Sequence, residues 1–277
     1  METINKITTS KQTTMYDHLC KMIIGNEEVL SRIIKAAVDE ANHLNVEEIR
    51  RLIKGVHIGD LIVNPHFHLV DKKGFIKDEG MVYYDILCYI DVPQEDGKNI
   101  RVYLYVEIQN NPYPGYSIIT RGYAYVSRIV SEQWGSEYDD KNYDGMKKVY
   151  SLWIMPKAPK RKDGHMNVYE TNERIICGTT VEEKEIYDKG VILAIYLNKE
   201  HDELLTPLMV LLNNVLDYKG KQRIIEEYGL NTKKIESEVK DMCDLGESIA
   251  LEGKQIKRKE KNVAHVKKTN DRITNVI

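Results

Sequence analysis

The chain reads as an α/β fold: a central sheet flanked by helices, with a helical extension at the C-terminal end. Three observations predict it. Two segments rich in aromatic and β-branched residues, 81–91 and 100–109, flank a turn signal. A helical segment at about 117–133 and an apolar strand at 148–155 follow, so strands and helices alternate. From about residue 203 the apolar positions take up a helical period.

Length and composition fit this class. The 277 residues are 42% hydrophobic and 30% charged, enough to bury a core. That balance excludes a long disordered chain, a collagen-like repeat and a coiled coil along the whole length. No run approaches the roughly 18 apolar residues of a membrane span. The opening METINKITTSKQTT shows no basic-then-apolar leader, and a cytoplasmic location is expected. Cys20, Cys88, Cys177 and Cys243 form no CxxC pair, which argues against a zinc site or a disulfide framework. With a net charge of -3, any nucleic-acid contact has to rest on local basic patches.

A first helix is expected at about 27–42, opened by Gly25-Asn26, with Val29, Ile33, Ala36 and Ala37 on one stripe. Glu40 falls on that stripe. A short helix at 46–54 carries Glu47 and Glu48 in its first turn, where the helix dipole favours acids. The strands 81–91 and 100–109 follow, with Asp96-Gly97 between them as a hairpin signal. Pro112 and Pro114 then break the chain before the helix at 117–133. After the strand 148–155 come a basic loop at 156–164, a strand near 174–177 and a buried strand at 191–197. The expected division is a core at 1–200, a helical extension at 201–253 and a basic polar tail at 254–277.

The hairpin carries the sharpest chemical signal. In 100–109 the even positions are all aliphatic, and Arg101, Tyr103, Tyr105, Glu107 and Gln109 share the other face. Asp85 interrupts the apolar run of the neighbouring strand. Pairing symmetric about Asp96-Gly97 sets Asp85 across from position 108. A one-residue shift sets it opposite Glu107 or Gln109 on the same face. Two carboxylates so placed repel each other, and a hard divalent cation is the simplest compensation. Taken singly, Asp85 and Glu107 read more readily as ordinary acids, one at a strand edge and one facing solvent. Their conjunction with Glu40, a third acid placed against its local pattern, points to a shared site.

Asp85, followed by Glu107-Ile108-Gln109 at the end of the next strand, resembles the D…ExK core of the PD-(D/E)XK nuclease superfamily. It is most similar to the bacterial branch of PD-(D/E)XK nuclease family transposases, related to recombination-promoting nucleases. The segment Arg121-Gly-Tyr-Ala-Tyr125-Val-Ser-Arg128, Gln133, the strand at 148–154 and the run 238–245 extend the likeness from about residue 17 to 253. The resemblance implies a restriction-endonuclease-like core with a mixed central sheet. It also implies a Mg2+-dependent (or Mn2+-dependent) DNA endonuclease linked to transposition or recombination. Asp85, Glu107 and the Ile108 carbonyl would then hold the metal, and Glu40, matching the superfamily's first-helix acid, would join them directly or through water. Gln109 stands where many members carry lysine, so it can orient water but supplies no positive charge.

Arg121, Tyr125 and Arg128 share one helical face. Either the arginines grip phosphate with Tyr125 positioning one of them, or Tyr125 packs in the core while the arginines pair with acids. Gln133 lies two turns beyond Tyr125. Lys160, Arg161 and Lys162, beside Lys157 in the basic loop, and the lysines from Lys254 onward are candidate DNA-backbone contacts or plain solvated surface. His66 and His68 read as a hydrogen-bonded loop pair rather than metal ligands. DNA is the expected partner, with a homodimer plausible for double-strand cutting. A catalytically weakened relic that only binds is the rival reading, and glycoside hydrolysis by the carboxylate pair is a more distant one.

Overall fold

The computed structural model describes residues 14–62, 83–95, 97–111, 113–197, 205–212, 218–230 and 233–245. His66, His68, Asp96, Pro112 and the tail from Lys254 lie outside them. Two compact units are present: Cys20–Leu212, and Met1–Leu19 together with Asn213–Ile277. Among the described residues no helix is long and apolar enough to cross a membrane.

The larger unit is built on a six-stranded mixed sheet in the order β1-β2-β3-β4-β6-β5. The strands are β1 (Ile53–Ile62), β2 (Tyr83–Pro93), β3 (Asn99–Ile108), β4 (Lys148–Met155), β5 (Met166–Tyr169) and β6 (Gly190–Tyr196). β1, β2 and β3 run antiparallel, β3, β4 and β6 parallel, and β5 returns antiparallel on the edge. Parallel neighbours need a crossover. Between β3 and β4 it is a helix, α4 (Ile118–Glu132), whose start is capped by the Ser117 side chain.

Ahead of the sheet lie α1 (residues 14–24), α2 (Glu27–Ala37) and α3 (Val46–Leu52). Asn26 caps α2, and Asn45 with Glu48 forms a full capping box on α3. α1 was not foreseen, although Tyr16, Cys20, Ile23 and Ile24 mark a buried stripe at helical spacing. β1 was not foreseen either. Register shifts interrupt it, and Gly55 adopts φ +59° there, where a Cβ would stand 2.9 Å from the Tyr89 ring.

The expected first helix is shorter than its stripe suggested. α2 ends at Ala37, because Val38 is extended (φ -111°, ψ 105°), and a 3-10 turn follows over Asp39–Ala41. Glu40 therefore does not continue the helical face of Val29 and Ile33. The strand expected near 174–177 is absent: those residues are irregular and Ile176 is 85% exposed. Met166–Tyr169 takes the place beside β6 instead.

β4 is buried on both faces, as a central parallel strand should be. On one face α4 packs Tyr125, Val126 and Ile129 against Tyr105, Trp153 and Ile192. Each such side chain contributes about 1.5–3 kcal/mol of burial. Close approach needs small residues. A Cβ on Gly122 of α4 would stand 2.9 Å from Ile192, and one on Gly190 of β6 would stand 2.5 Å from Val126. On the other face the turn after α2 meets β4 through the Tyr150 hydroxyl.

A short helix α5 (Lys184–Tyr187) precedes β6, and α6 (Leu205–Leu212) closes this unit. In the smaller unit, α7 (Tyr218–Glu227) and α8 (residues 233–245) bury Ile225, Ile235, Val239 and Met242. Lys221 is fully buried there, its amine 3.4 Å from the Met242 sulfur.

Candidate functional site

The turn between β2 and β3 sets the register that decides the site. Its loop spans positions 94–98, closed by Gln94 N–H donating to Lys98, with Gly97 at φ +78°. Ile86 pairs with Val106 and Leu87 with Tyr105. That is one residue off the symmetric pairing, so the next position brings Asp85 alongside Glu107. Both acids lie at the carboxyl end of β3, where the parallel strands of α/β sheets present ligand sites.

Both acids are buried, at 9% and 8% exposure. Asp85 Oδ2 accepts from the Ile108 amide at 2.8 Å, and the Lys21 ammonium of α1 stands 2.8 Å from Oδ1. Glu107 accepts from the Tyr105 hydroxyl, and its Oε1 meets the Arg121 guanidinium at 3.1 Å. Two anions and two cations thus share one small volume at the sheet's edge, an arrangement that offsets the cost of burying charge.

The balance nevertheless tilts against the second negative charge. Burial first, and then the charge of Asp85, push the Glu107 carboxyl from 4.5 up to about 7, against the pull of Tyr105, Arg121 and Lys21. Burial likewise raises the Tyr105 hydroxyl, helped by Glu107. Arg121 is fixed on many sides. It donates to the hydroxyls of Tyr125 at 2.6 Å and Tyr116 at 2.7 Å, and its guanidinium carbon lies 5.0, 5.6 and 5.2 Å from the rings of Tyr125, Tyr116 and Trp153. Burial opposes its charge, but Tyr125 and Glu107 more than restore it. Tyr84 meets Tyr105 and Tyr125 edge to face at 4.9 and 5.7 Å. Its buried hydroxyl has no hydrogen-bond partner among the described residues.

Of the residues singled out in the sequence, Asp85, Glu107, Arg121 and Tyr125 come together. Tyr125 is in the core and Arg121 is paired with an acid, the second of the two arrangements foreseen for that face. Arg128, seven residues and about 10 Å further along α4, instead acts on half-buried Glu132. Gln133 exchanges two hydrogen bonds with the Lys147 backbone and so fastens the end of α4 to the entry of β4. The Gln109 amide donates to the Asn111 carbonyl at 2.8 Å, just beyond the strand end.

Glu40 is placed elsewhere. It accepts from Tyr150 at 2.7 Å and pairs with Lys148 at 3.0 Å, and Lys148 also holds buried Asp188 at 2.8 Å. Lys148 pairs with Val102, five residues and so about 16 Å along β3 from Glu107. Tyr150 also points to the opposite face from Trp153, the neighbour of Glu107. The expectation of a three-acid cluster is therefore not met, because the break at Val38 turns Glu40 toward the far end of β4. Among the described residues no three His, Cys, Asp or Glu side chains converge.

The basic loop follows β4 at the same sheet edge as Glu107. Lys160 and Arg161 are exposed, whereas Lys162 folds back over Tyr196, its amine 2.9 Å from that hydroxyl. Missed in the sequence were Lys21, Tyr105 and Tyr84. The available signal for Lys21 was a cation bordering the stripe of Cys20 and Ile24 on an unrecognised helix. Compared with protein-family models, with curated proteins and with solved structures, the chain matches none of them.

Proposed function

We propose that the larger unit is a metal-dependent DNA endonuclease core of the PD-(D/E)XK type, of the transposase-related branch, acting in transposition or recombination. The observation that carries this is the adjacency of Asp85 and Glu107, buried side by side at the carboxyl edge of β3. Their chemistry fits a hard divalent ion: Mg2+ takes one or two carboxylates and fills its other positions with water and phosphate oxygen. The raised Glu107 carboxyl fits too, since a site that resists its second negative charge favours a cation. Mg2+ held there by Asp85 and Glu107 supplies Lewis acidity to the phosphodiester and to the attacking water.

The chain's own residues hold that arrangement ready. Tyr105 and Arg121 fix the Glu107 carboxylate from two sides, and the Ile108 amide fixes Asp85. These contacts set both carboxylates in place before substrate arrives. The water oxygen forms the new bond to phosphorus as one sugar–oxygen bond to phosphorus breaks. The products are a phosphate monoester and a free hydroxyl, and the water's proton passes to the leaving oxygen. Lys160 and Arg161, exposed at the same edge, suit contacts to backbone phosphates.

One observation favours a second reading, a binding module that has lost turnover. Each acid is already matched by a cation of the protein, and Gln109 brings none. Purified protein with supercoiled plasmid and Mg2+ or Mn2+ separates the two. Metal-dependent nicking that disappears in both Asp85→Ala and Glu107→Ala supports the nuclease. DNA binding without nicking in either metal supports the module.

A further inference from the structure

Gln109 supplies no charge, and its amide is engaged with Asn111, yet the site does contain a lysine ammonium. Lys21 reaches in from α1, a segment far from the motif in sequence, and is itself 7% exposed. Its ammonium stands 2.8 Å from Asp85 Oδ1, while the Ile108 amide donates to Oδ2. Arg121 cannot easily serve instead. Two tyrosine hydroxyls, Glu107 and three aromatic rings hold its planar group in place. A lysine differs in kind: a compact charge on a four-carbon stem can change partner by a few ångströms without disturbing the backbone.

We propose that Lys21 is the positively charged catalytic group of this site: it neutralises Asp85 in the metal-free protein and turns to the scissile phosphate once a divalent cation takes Asp85. The inference rests on the nuclease reading. Lys21 transfers no proton in this scheme; it opposes the charge that builds on the phosphate oxygens as water attacks. Preorganised donors of this sort are worth about 10²–10³ in turnover when one is removed. The arrangement also makes Lys21 and the metal competitors for one carboxylate oxygen.

The competition supplies the test. Lys21→Met and Lys21→Arg are compared with the full-length wild type and Asp85→Ala in three measurements: Mn2+ binding by electron paramagnetic resonance, duplex-oligonucleotide binding in Ca2+, and single-turnover cleavage. For Lys21→Met the expected result is Mn2+ held at least threefold more tightly, DNA affinity within threefold of wild type, and cleavage at least 100-fold slower. Lys21→Arg, which keeps the charge, recovers at least tenfold of that loss. Lys21→Met cleaving at the wild-type rate overturns the proposal. So does loss of Mn2+ binding together with cleavage, which marks a purely structural ion pair. If Lys21→Met fails to fold by circular dichroism, Lys21→Arg decides alone: folded, metal-binding protein with cleavage no better than Asp85→Ala overturns it. Failure of the nuclease reading looks different, since wild type then binds no more Mn2+ than Asp85→Ala and cuts nothing, and Lys21 has no reaction to serve.

Discussion

Replacing Glu107 by Gln should stabilise the metal-free protein at alkaline pH while removing any metal-dependent activity. The carboxyl sits at about 7 against an ordinary 4.5 because burial and Asp85 disfavour its charge. Between those two values the folded state keeps a proton that the unfolded chain has already released. Stability from this group is therefore present at low pH and lost as pH rises from about 4.5 through about 7. At roughly 1.4 kcal/mol per tenfold change, the loss reaches about 3 kcal/mol above pH 7. Gln carries no such loss, and the Tyr105 hydroxyl can turn from donor to acceptor to suit it. The variant gives up the charged partner of Arg121, which keeps the hydroxyls of Tyr125 and Tyr116. A net gain of about 1–2 kcal/mol at pH 8 is expected. At about 2–4 °C per kcal/mol for a unit of this size, thermal unfolding in EDTA should shift upward by roughly 2–8 °C. The difference should shrink as pH falls from 8 to about 4.5, the range over which the wild-type loss disappears. A Glu107→Gln protein that is less stable than wild type at pH 8, or whose difference from it does not change with pH, refutes the reasoning.

Four further outcomes follow from the packing and the charges. Gly122→Ala forces a methyl group against Ile192 and the Trp153 indole nitrogen, and denaturant unfolding should show a loss of about 1–3 kcal/mol. Lys148→Met strands Glu40 and Asp188 without their shared cation and should cost about 3–5 kcal/mol. Glu40→Gln, by contrast, should leave Mn2+ affinity unchanged. Lys160→Ala and Arg161→Ala should each weaken duplex binding and lower the slope of log K against log salt by about 1, with no change in Mn2+ affinity.

Much of this was legible in the residues, for definite reasons. β4 was read at its true bounds because positions 149–155 are apolar apart from Ser151, are bounded by Lys147-Lys148 and Pro156, and have a strand's length rather than a helix's. The α4 helix was bracketed by Pro114, Ser117 and its own period. The adjacency of Asp85 and Glu107 depended on a single residue of loop, and Gly97 in a left-handed conformation supplied it. What the sequence hid were long-range outcomes. Helical periodicity carried Glu40 onto the stripe of α2, but one extended residue, Val38, ended that helix first. β1 was masked by its glycines and register shifts, and β5 by the exposed side chains typical of an edge strand. Lys21 belongs to the site only through tertiary packing, which no local pattern records.

The most direct measurement is a crystal structure of the protein grown with Mn2+, with the anomalous signal recorded near the manganese edge. The expected map has a peak beside the Asp85 and Glu107 carboxylates, and the Lys21 ammonium withdrawn from Asp85. A map with no peak there, at saturating Mn2+ and with Lys21 still seated on Asp85, contradicts the metal site.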